Sequence, residues 1–526
     1  MINITKVKIN FFYEIILVLI LFLLSVFYFY NLDKGFLLEN NFFPWDSNAY
    51  QALIEIIFEG SNFDNISNVA HPFNQRIIFP YLVANLSKIS ELNFIYSAMY
   101  LNLIFTFLIS IFYLVSARIY KISFFTRLLT VIIFYASHVM PLRYSIYYPG
   151  GNFAFDTFLV SCIILFFLIY KEQKISKTKL TIIGLVFFIA TIQRGILFVM
   201  IAVMPIALIT CQNYLNRIKN LGITFLFQKN KVFFSNLIFS FAGFALLKII
   251  VPKGPGDYSM LREIFSSIHF QSNFFEFFYK YYYSLGIFFF VIVIFFFKEK
   301  VYSINIVKKF RSLSSGEIFI LSIFLNSIIF STIGGRGDVD RFLLWFLLIY
   351  ILYGSLYLDQ LIIKMNRKFI ISILIIGILW ARPFTPAWPP INFSYLFVHN
   401  VFSSTNFNES YFVGPSFLKN FRNKMIEVTI GDNEKWKPVY FTNYNKTLQQ
   451  VTVPELQYMN GHYNRWANAY KYKINDIPFP IGYIHNQRNF MTDHPYHGNN
   501  MIRFILILQW LLLQIVFFLW VKKIKW

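Results

Sequence analysis

The stretch FFYEIILVLILFLLSVFYFY, residues 11–30, carries one charged residue, Glu14, and decides the class of fold. About twenty apolar residues are what an α-helix needs to cross the hydrocarbon core of a bilayer. Lys6 and Lys8 precede the stretch, and no small-residue cleavage site follows it. We therefore expect a retained signal anchor that forms the first membrane-spanning helix.

The composition of the whole chain indicates the same class. Of its 526 residues, 57% are hydrophobic and only 14% are charged, whereas soluble domains are about 25% charged. The net charge of +22 sits in short clusters between apolar runs, which is typical of cytoplasmic loops and does not indicate a nucleic-acid-binding protein. Cys162 and Cys211 fall in or at the end of apolar segments, so they provide no disulfide framework.

The apolar runs predict an all-α polytopic membrane protein with about twelve transmembrane helices. The predicted spans are 11–30, 94–117, 128–148, 154–170, 180–193, 195–211, 232–250, 284–297, 317–333, 342–358, 369–381 and 501–521. Every second connecting segment is rich in Lys and Arg, as in Lys171, Lys174 and Lys177. By the positive-inside rule these segments and both termini are cytoplasmic, and we expect a multi-pass protein of the inner (plasma) membrane.

Three units follow from this topology. Residues 1–381 form a transmembrane module whose first external loop, 31–93, is too long for a simple connector. Within that loop, residues 50–58 predict an amphipathic helix lying on the membrane surface. Residues 382–500 are rich in Asn, Tyr, Trp and Pro and contain strand-like pieces at 437–442 and 450–453, which predict a small mixed external domain or cap. Residues 501–526 form the last helix and a cytoplasmic tail.

Several arginines map to the outer face, against the positive-inside trend. They are Arg143, Arg194, Arg336 and Arg341. An arginine near a helix end can simply extend its charge to the interface, and that alternative stays open for each of them. Their gathering at one face predicts an anionic ligand there, because guanidinium groups bind phosphate and carboxylate bidentately.

The polar motifs concentrate in the first external loop. FPWDSNAY, residues 43–50, places an acid directly after an aromatic-proline turn, and AHPFNQRIIFP, residues 70–80, follows it. This arrangement resembles the GT-C superfamily of membrane glycosyltransferases, closest to bacterial members in which an Asp and a Tyr four residues later precede an Arg-Ile/Leu-x-x-Pro element. The resemblance continues through Phe155-Asp156, Gln193-Arg194-Gly195 and Asp340-Arg341-Phe342.

The resemblance implies an inverting glycosyltransferase that moves a sugar from a polyprenyl-phosphate carrier to an acceptor hydroxyl of a glycan, lipid or protein. It implies partners among membrane lipids and an outward-facing site. Such a transfer needs a base for the acceptor proton and cations for the phosphate leaving group. The candidate catalytic residues are Asp46, as base, and His71. The candidate substrate- and phosphate-binding residues are Arg76, Arg194, Arg336, Arg341, Asp156 and Tyr50.

A metal cofactor stays open at this stage. Many family members carry two adjacent acids in the first loop, whereas Asp46 is followed by Ser47. A divalent metal would then need a second ligand such as Asp64 or Asp156, brought in by the fold. Near the C-terminus, Asp493, His494 and His497 with His485 have loosely metal-like spacing, with a plain surface loop as the alternative.

Structural alternatives accompany the catalytic candidates. Asp46 followed by a helical run is also typical of a helix N-cap, and the two roles are compatible. Asp338 and Asp340 beside Arg336 and Arg341 could form an ion-paired turn.

Three other functions stay open. An O-antigen-type polymerase or ligase would centre its chemistry in residues 382–500. A lipid or glycan transporter would carry charges near the middle of its spans and broken helices in two repeated halves. A scaffold would use its external arginines only to bind lipid headgroups.

Overall fold

A computed structural model describes the part of the chain that carries most of the predicted spans. The described residues are 10–33, 46–60, 66, 69, 73–137, 139–169, 176–216, 231–251, 281, 284–298, 306–333, 339–364, 375, 377, 380, 381 and 383. Apart from residue 383, the predicted external domain 382–500 lies outside them, as does the predicted last helix at 501–521. The predicted span 369–381 is described only at isolated positions.

The described chain is helical. Its helices, in order, are α1 Phe11–Asp33, α2 Asp46–Phe58, α3 Ile78–Ser90, α4 Phe94–Ile119, α5 Phe124–Ala136, α6 Pro141–Tyr147, α7 Phe153–Ile169, α8 Lys177–Leu215, α9 Lys231–Ile250, α10 Ile287–Lys298, α11 Ile306–Arg311, α12 Ser315–Ile333, α13 Val339–Leu344 and α14 Leu347–Lys364. A short 3₁₀ turn, Phe73–Gln75, precedes α3. No strand occurs within these described ranges.

Six helical segments of the described chain are long and apolar enough to cross a membrane. They are Phe11–Asn31, Phe94–Ile119, Phe124–Tyr147, Lys177–Gly195, Leu197–Leu215 and Lys231–Ile250. Large apolar side chains on them remain exposed in the folded chain, for example Phe27 and Ile249. Because water would penalise such surfaces and lipid would not, the chain is a membrane protein.

Helix α1 defines two sides of the bundle. Glu14 and Asp33, near its two ends, are about 28 Å apart along the axis at about 1.5 Å per residue. Glu14 binds Arg118 at the end of α4 and Arg127 in α5, at 2.5 and 2.6 Å. Asp33 binds Arg143 of α6 at 2.7 Å. We refer to these ends as the Glu14 side and the Asp33 side.

Helix α8 consists of two spans that reverse at Arg194, whose backbone is non-helical at φ −145° and ψ 51°. A straight helix of this length would be about 58 Å long, far more than a bilayer needs. Its first half runs parallel to α9, since Gly184 faces Phe239 and Gly243 faces Phe188. Its second half returns to the start of α12, where Gln212 binds the carbonyls of Phe310 and Leu313. This end lies near the start of α9, since Phe319 of α12 stacks on Phe233. The predicted pair of spans, 180–193 and 195–211, corresponds to this hairpin.

The reversal therefore lies on the Asp33 side, together with the first loop and the start of α7. Asn102 of α4 fixes that start by donating to the carbonyls of Pro149 and Gly151, at 3.1 and 2.7 Å. Thr157 of α7 donates to the Leu344 carbonyl at 3.0 Å, which holds the end of α13 beside it. These contacts bring three distant parts of the sequence to one edge of the bundle.

The first loop contains the expected helix, but its apolar face is covered by protein. In α2, Tyr50, Leu53 and Ile54 are buried, and the helix packs on α3. The sequence predicted that Leu53, Ile54, Ile57 and Phe58 would face the membrane; of these, only Phe58 is exposed. The reason is α3, an adjacent helix that supplies a second apolar surface and that the pattern of α2 alone could not reveal.

Candidate functional site

A buried ion pair lies at the centre of the polar residues on the Asp33 side. Arg194 Nε donates to Asp156 Oδ2 at 2.9 Å, with 8% of the arginine side chain and none of the aspartate side chain exposed. Asp156 lies in the first turn of α7, where a carboxylate is favoured by the helix dipole. Arg194 is presented by the reversal of α8, so the pair joins two transmembrane elements at their ends.

Gln193 connects this pair to the first loop. Its Oε1 accepts a hydrogen bond from the backbone N–H of Phe79 at 3.1 Å, and its Nε2 lies 3.4 Å from Asp156 Oδ1. The Phe79 N–H belongs to the first turn of α3, which has no side-chain cap of its own. Gln193 is fully buried. One amide therefore both caps α3 from a distance and orients the carboxylate.

Arg76 approaches from the segment just before α3. Its Nη1 donates to Tyr50 Oη at 2.5 Å, and its guanidinium carbon lies 4.8 Å from the ring centre of Phe73. The positive charges of Arg194 and Arg76 both stabilise the Asp156 carboxylate electrostatically. Tyr50 is only 1% exposed. The predicted residues Tyr50, Arg76, Asp156 and Arg194 thus belong to one group, which we call the Arg76–Arg194 cluster.

The indole of Trp345 stacks on a face of the Arg194 guanidinium. The Cζ of Arg194 lies 4.4 Å from the ring centre of Trp345, the residue that follows α13. Trp345 is 1% exposed, and no described residue accepts a hydrogen bond from its Nε1. Stacking on tryptophan stabilises a cation by about 0.5–2 kcal/mol, more where water is excluded.

A third cation meets the cluster from α9. Lys248 Nζ donates to Gln75 Oε1 at 3.2 Å, and Gln75 immediately precedes Arg76. Among the described residues, this region of the Asp33 side therefore holds three cations, Arg76, Arg194 and Lys248, and one carboxylate, Asp156. In surroundings of low dielectric, an excess of positive charge favours binding of an anion.

The remaining predicted residues fall partly or wholly outside the described chain. Asp46 begins α2 and lies one helical turn before Tyr50, so the two positions share a face of the helix. Arg341 lies within α13, four residues before Trp345. The side chains of both are outside the described residues, and so are His71 and Arg336 altogether.

Arg143 has a different environment from Arg194. Its Nε and Nη2 donate to the two oxygens of Asp33 at 2.7 and 2.8 Å, and its Nη1 to the carbonyl oxygens of Ala136 and Ala381 at 3.2 and 3.4 Å. Neither side chain of the pair is exposed. This arginine was predicted as part of an anion-binding face, but it is enclosed by the protein and holds α6 to α1.

The described residues do not provide a metal-binding donor set. In the described part of the chain, no group of three or more His, Cys, Asp or Glu side chains could hold a metal ion. Asp156, considered above as a second ligand for a metal, is engaged by Arg194 and Gln193 instead. The Asp493–His497 segment and Asp64 lie outside the described residues.

Sequence reasoning missed Gln75, Lys248 and Trp345 as members of this group. Gln193 was recognised only as part of a motif. Each becomes informative through a partner more than 100 positions away in the chain, such as Gln193 with Phe79, or Lys248 with Gln75. No local spacing signals such contacts, although an arginine at a helix reversal on the face that is otherwise poor in Lys and Arg does mark Arg194.

Comparisons with known proteins do not assign the chain to a family. No protein-family model, no curated protein and no solved structure matches it. The functional inference therefore depends on the residues and contacts of the Arg76–Arg194 cluster.

Proposed function

We propose that the chain is a GT-C-type membrane glycosyltransferase that transfers a sugar from a polyprenyl-phosphate carrier to an acceptor hydroxyl. The observation that supports this best is the Arg76–Arg194 cluster, which joins the first loop to the ends of α7, α8 and α13. A carrier lipid has an anionic phosphate and an apolar tail. A cationic cluster can bind the phosphate, and the apolar surfaces of the adjoining membrane helices can contact the tail.

In the proposed reaction Asp46 acts as the base. Its carboxylate takes the proton of the acceptor hydroxyl while the acceptor oxygen forms a bond to the anomeric carbon. The bond between that carbon and the carrier phosphate oxygen breaks, and the phosphate leaves with the electron pair. Attack opposite the leaving group inverts the configuration at the anomeric carbon.

The cluster would stabilise the phosphate as its negative charge increases. Arg194 is already oriented by Asp156 and Trp345, and Arg76 by Tyr50, so neither guanidinium needs large rearrangement to bind an anion. Arg341 and Arg336 are proposed as further phosphate ligands, and His71 as an aid to the acceptor. No step is assigned to a metal.

The topology proposed with this function has about twelve spans, both termini in the cytoplasm and the Asp33 side facing outward from a bacterial inner membrane. Residues 382–500 would form an external domain beside the cluster. The basic residues of the cluster would then face the outer surface, where a sugar-loaded carrier is available.

The first test uses Asp46→Asn in proteoliposomes containing the full chain and a panel of polyprenyl-phosphate-linked hexoses. Asn caps a helix about as well as Asp but cannot accept the acceptor proton. We expect transfer to fall at least about 100-fold with an unchanged unfolding temperature. Glu59→Gln, which changes an exposed acid just after the same helix, is the matched control and should retain activity.

Two outcomes would contradict the proposal. If Asp46→Asn transfers sugar like the wild type while changes in residues 382–500 abolish transfer, the protein is a polymerase or ligase with its chemistry there. If labelled carrier lipid crosses the bilayer and no sugar is transferred, the protein is a transporter. The reversal at Arg194 weighs against a transporter, because this break lies at the ends of two spans rather than within one.

A further inference from the structure

Lys248 has an unusual position for a lysine near the end of a membrane helix. Lys248 is exposed. Its neighbours Leu246, Ile249 and Ile250 are exposed apolar residues, and 80% of the surface of Ile249 is accessible. The surface around it is therefore lipid-facing. Its amine nevertheless turns toward Gln75 and lies 5.4 Å from the ring centre of Phe244.

A lysine at a helix C-terminus has an ordinary explanation. The helix dipole favours a cation there, and the long stem lets the amine reach water at the interface. That explanation does not account for its partner. Gln75 is 9% exposed, and its Nε2 has no hydrogen-bond partner among the described residues. Buried amide N–H groups in proteins normally donate a hydrogen bond, and an anion held by Lys248 would supply the acceptor for Gln75 Nε2.

We propose that Lys248 and Gln75 form a binding position for an anionic phosphate headgroup at the lipid-facing edge of the Arg76–Arg194 cluster. Lys248 supplies the charge and Gln75 Nε2 a hydrogen bond. Gln75 and Arg76 are consecutive, so the proposed position adjoins the segment of the first loop that carries Arg76. The assignment extends the proposed function, since it gives the carrier lipid a lateral approach along the end of α9.

The headgroup could belong to a polyprenyl monophosphate, to an ordinary anionic phospholipid, or to free phosphate. A lipid tail would lie along the exposed apolar side chains of α9, which free phosphate cannot use. The unloaded carrier, which is also the product of the proposed transfer, differs from phosphatidylglycerol in having a terminal phosphate with two ionisable oxygens, which suits a lysine and an amide donor together.

The experiment measures binding of polyprenyl monophosphate, phosphatidylglycerol and inorganic phosphate to the purified full chain by native mass spectrometry. We expect polyprenyl monophosphate to bind tightest. Lys248→Ala should weaken it about tenfold and Gln75→Leu several-fold, as expected for loss of a charge-assisted and a neutral hydrogen bond. Lys231→Ala, at the opposite end of α9, is the matched control and should bind like the wild type.

Unchanged affinity in Lys248→Ala would overturn the proposal, as would inorganic phosphate binding as tightly as the lipid. Phosphatidylglycerol binding as tightly as the carrier would show a general lipid contact and also overturn it. Lys248→Arg should restore most of the affinity, which excludes misfolding as the cause of a loss. The assay contains no sugar, so binding can succeed where the glycosyl transfer of the proposed function fails, and the two outcomes stay separate.

Discussion

Arg143 and Arg194 were both predicted from the sequence to lie on the outer face, and each pairs with a buried aspartate in the structure, but in different surroundings. Arg143 and Asp33 are completely covered, and three of the arginine nitrogens donate to carboxylate or carbonyl oxygens of the protein. Arg194 and Asp156 are nearly covered, but they adjoin a second arginine, a tyrosine and a stacked indole. The first pair holds helices together, whereas the second belongs to a larger cationic group.

An arginine on the outer side of a membrane protein can therefore serve two physical roles. A guanidinium with all its donors satisfied by the protein stabilises the fold and is closed to ligands. A guanidinium in a group with excess positive charge is suited to bind an anion. Only the surrounding residues distinguish a structural arginine from an anion-binding one. Equivalent substitutions of Arg143 and Arg194 should therefore have different effects.

The largest expected effect comes from breaking the enclosed pair on one side only. Arg143→Ala leaves the Asp33 carboxylate buried and uncompensated, and we expect the free energy of unfolding to fall by about 3–5 kcal/mol. Chemical denaturation in detergent measures this. Replacing both residues, Asp33→Leu with Arg143→Met, should recover most of the stability. A double variant as unstable as the single one would show that the pair is not the cause.

The second effect concerns activity rather than stability. Arg194→Lys keeps the charge but loses the planar donor group that stacks on Trp345 and binds phosphate bidentately. We expect sugar transfer to fall about 100-fold, with a smaller loss of unfolding temperature than in Arg143→Lys. The measurement is the transfer rate per folded molecule for Arg194→Lys and for Arg143→Lys. Equal losses of specific activity would remove the distinction between the two pairs.

A third, smaller effect isolates the hydroxyl that orients Arg76. Tyr50→Phe removes the acceptor of the 2.5 Å hydrogen bond and leaves the ring packed against Phe73. A hydrogen bond to a charged group contributes at least about 1.5 kcal/mol, so transfer should fall at least about tenfold. The Phe variant of exposed Tyr81 serves as the control. A Tyr50→Phe protein with full activity would indicate that Arg76 does not depend on this contact.

The smallest effect tests the stacked indole. Trp345→Phe keeps an aromatic ring beside Arg194 but weakens the attraction to the cation, for which tryptophan is the best partner. We expect the affinity for polyprenyl monophosphate to fall about threefold. Titration by native mass spectrometry can resolve such a change. A gain in affinity would show that the indole competes with the ligand instead of supporting the arginine.

Much of the helical fold follows from the sequence, because a bilayer demands long apolar runs. The runs at 94–117 and 232–250 predict α4 and α9 closely, and the interruption at Gln193 and Arg194 marks the reversal of α8. The first loop was expected to hold structure, and α2 and α3 confirm this. Orientation, the number of spans and the external domain stay predictions.

The side-chain partners were less accessible to sequence reasoning. Asp33 lies just after the first predicted span, and its partner Arg143 follows 110 positions later. Lys248 lies near the end of an apolar span, and its partner Gln75 lies 173 positions earlier. Apolar periodicity fixes where helices are, but the rotation and packing of helices decide which polar ends meet, and spacing along the chain does not encode them.

Locating the phosphate of the bound carrier would show whether the Arg76–Arg194 cluster is the binding site. A polyprenyl phosphate with a photoreactive group beside its phosphate is bound to the full chain in nanodiscs, irradiated and mapped by mass spectrometry. We predict attachment beside Arg76, Arg194 and Trp345, with loss of labelling in Arg194→Lys. Attachment beside Arg143 and Asp33, or within residues 382–500, would contradict the proposed site.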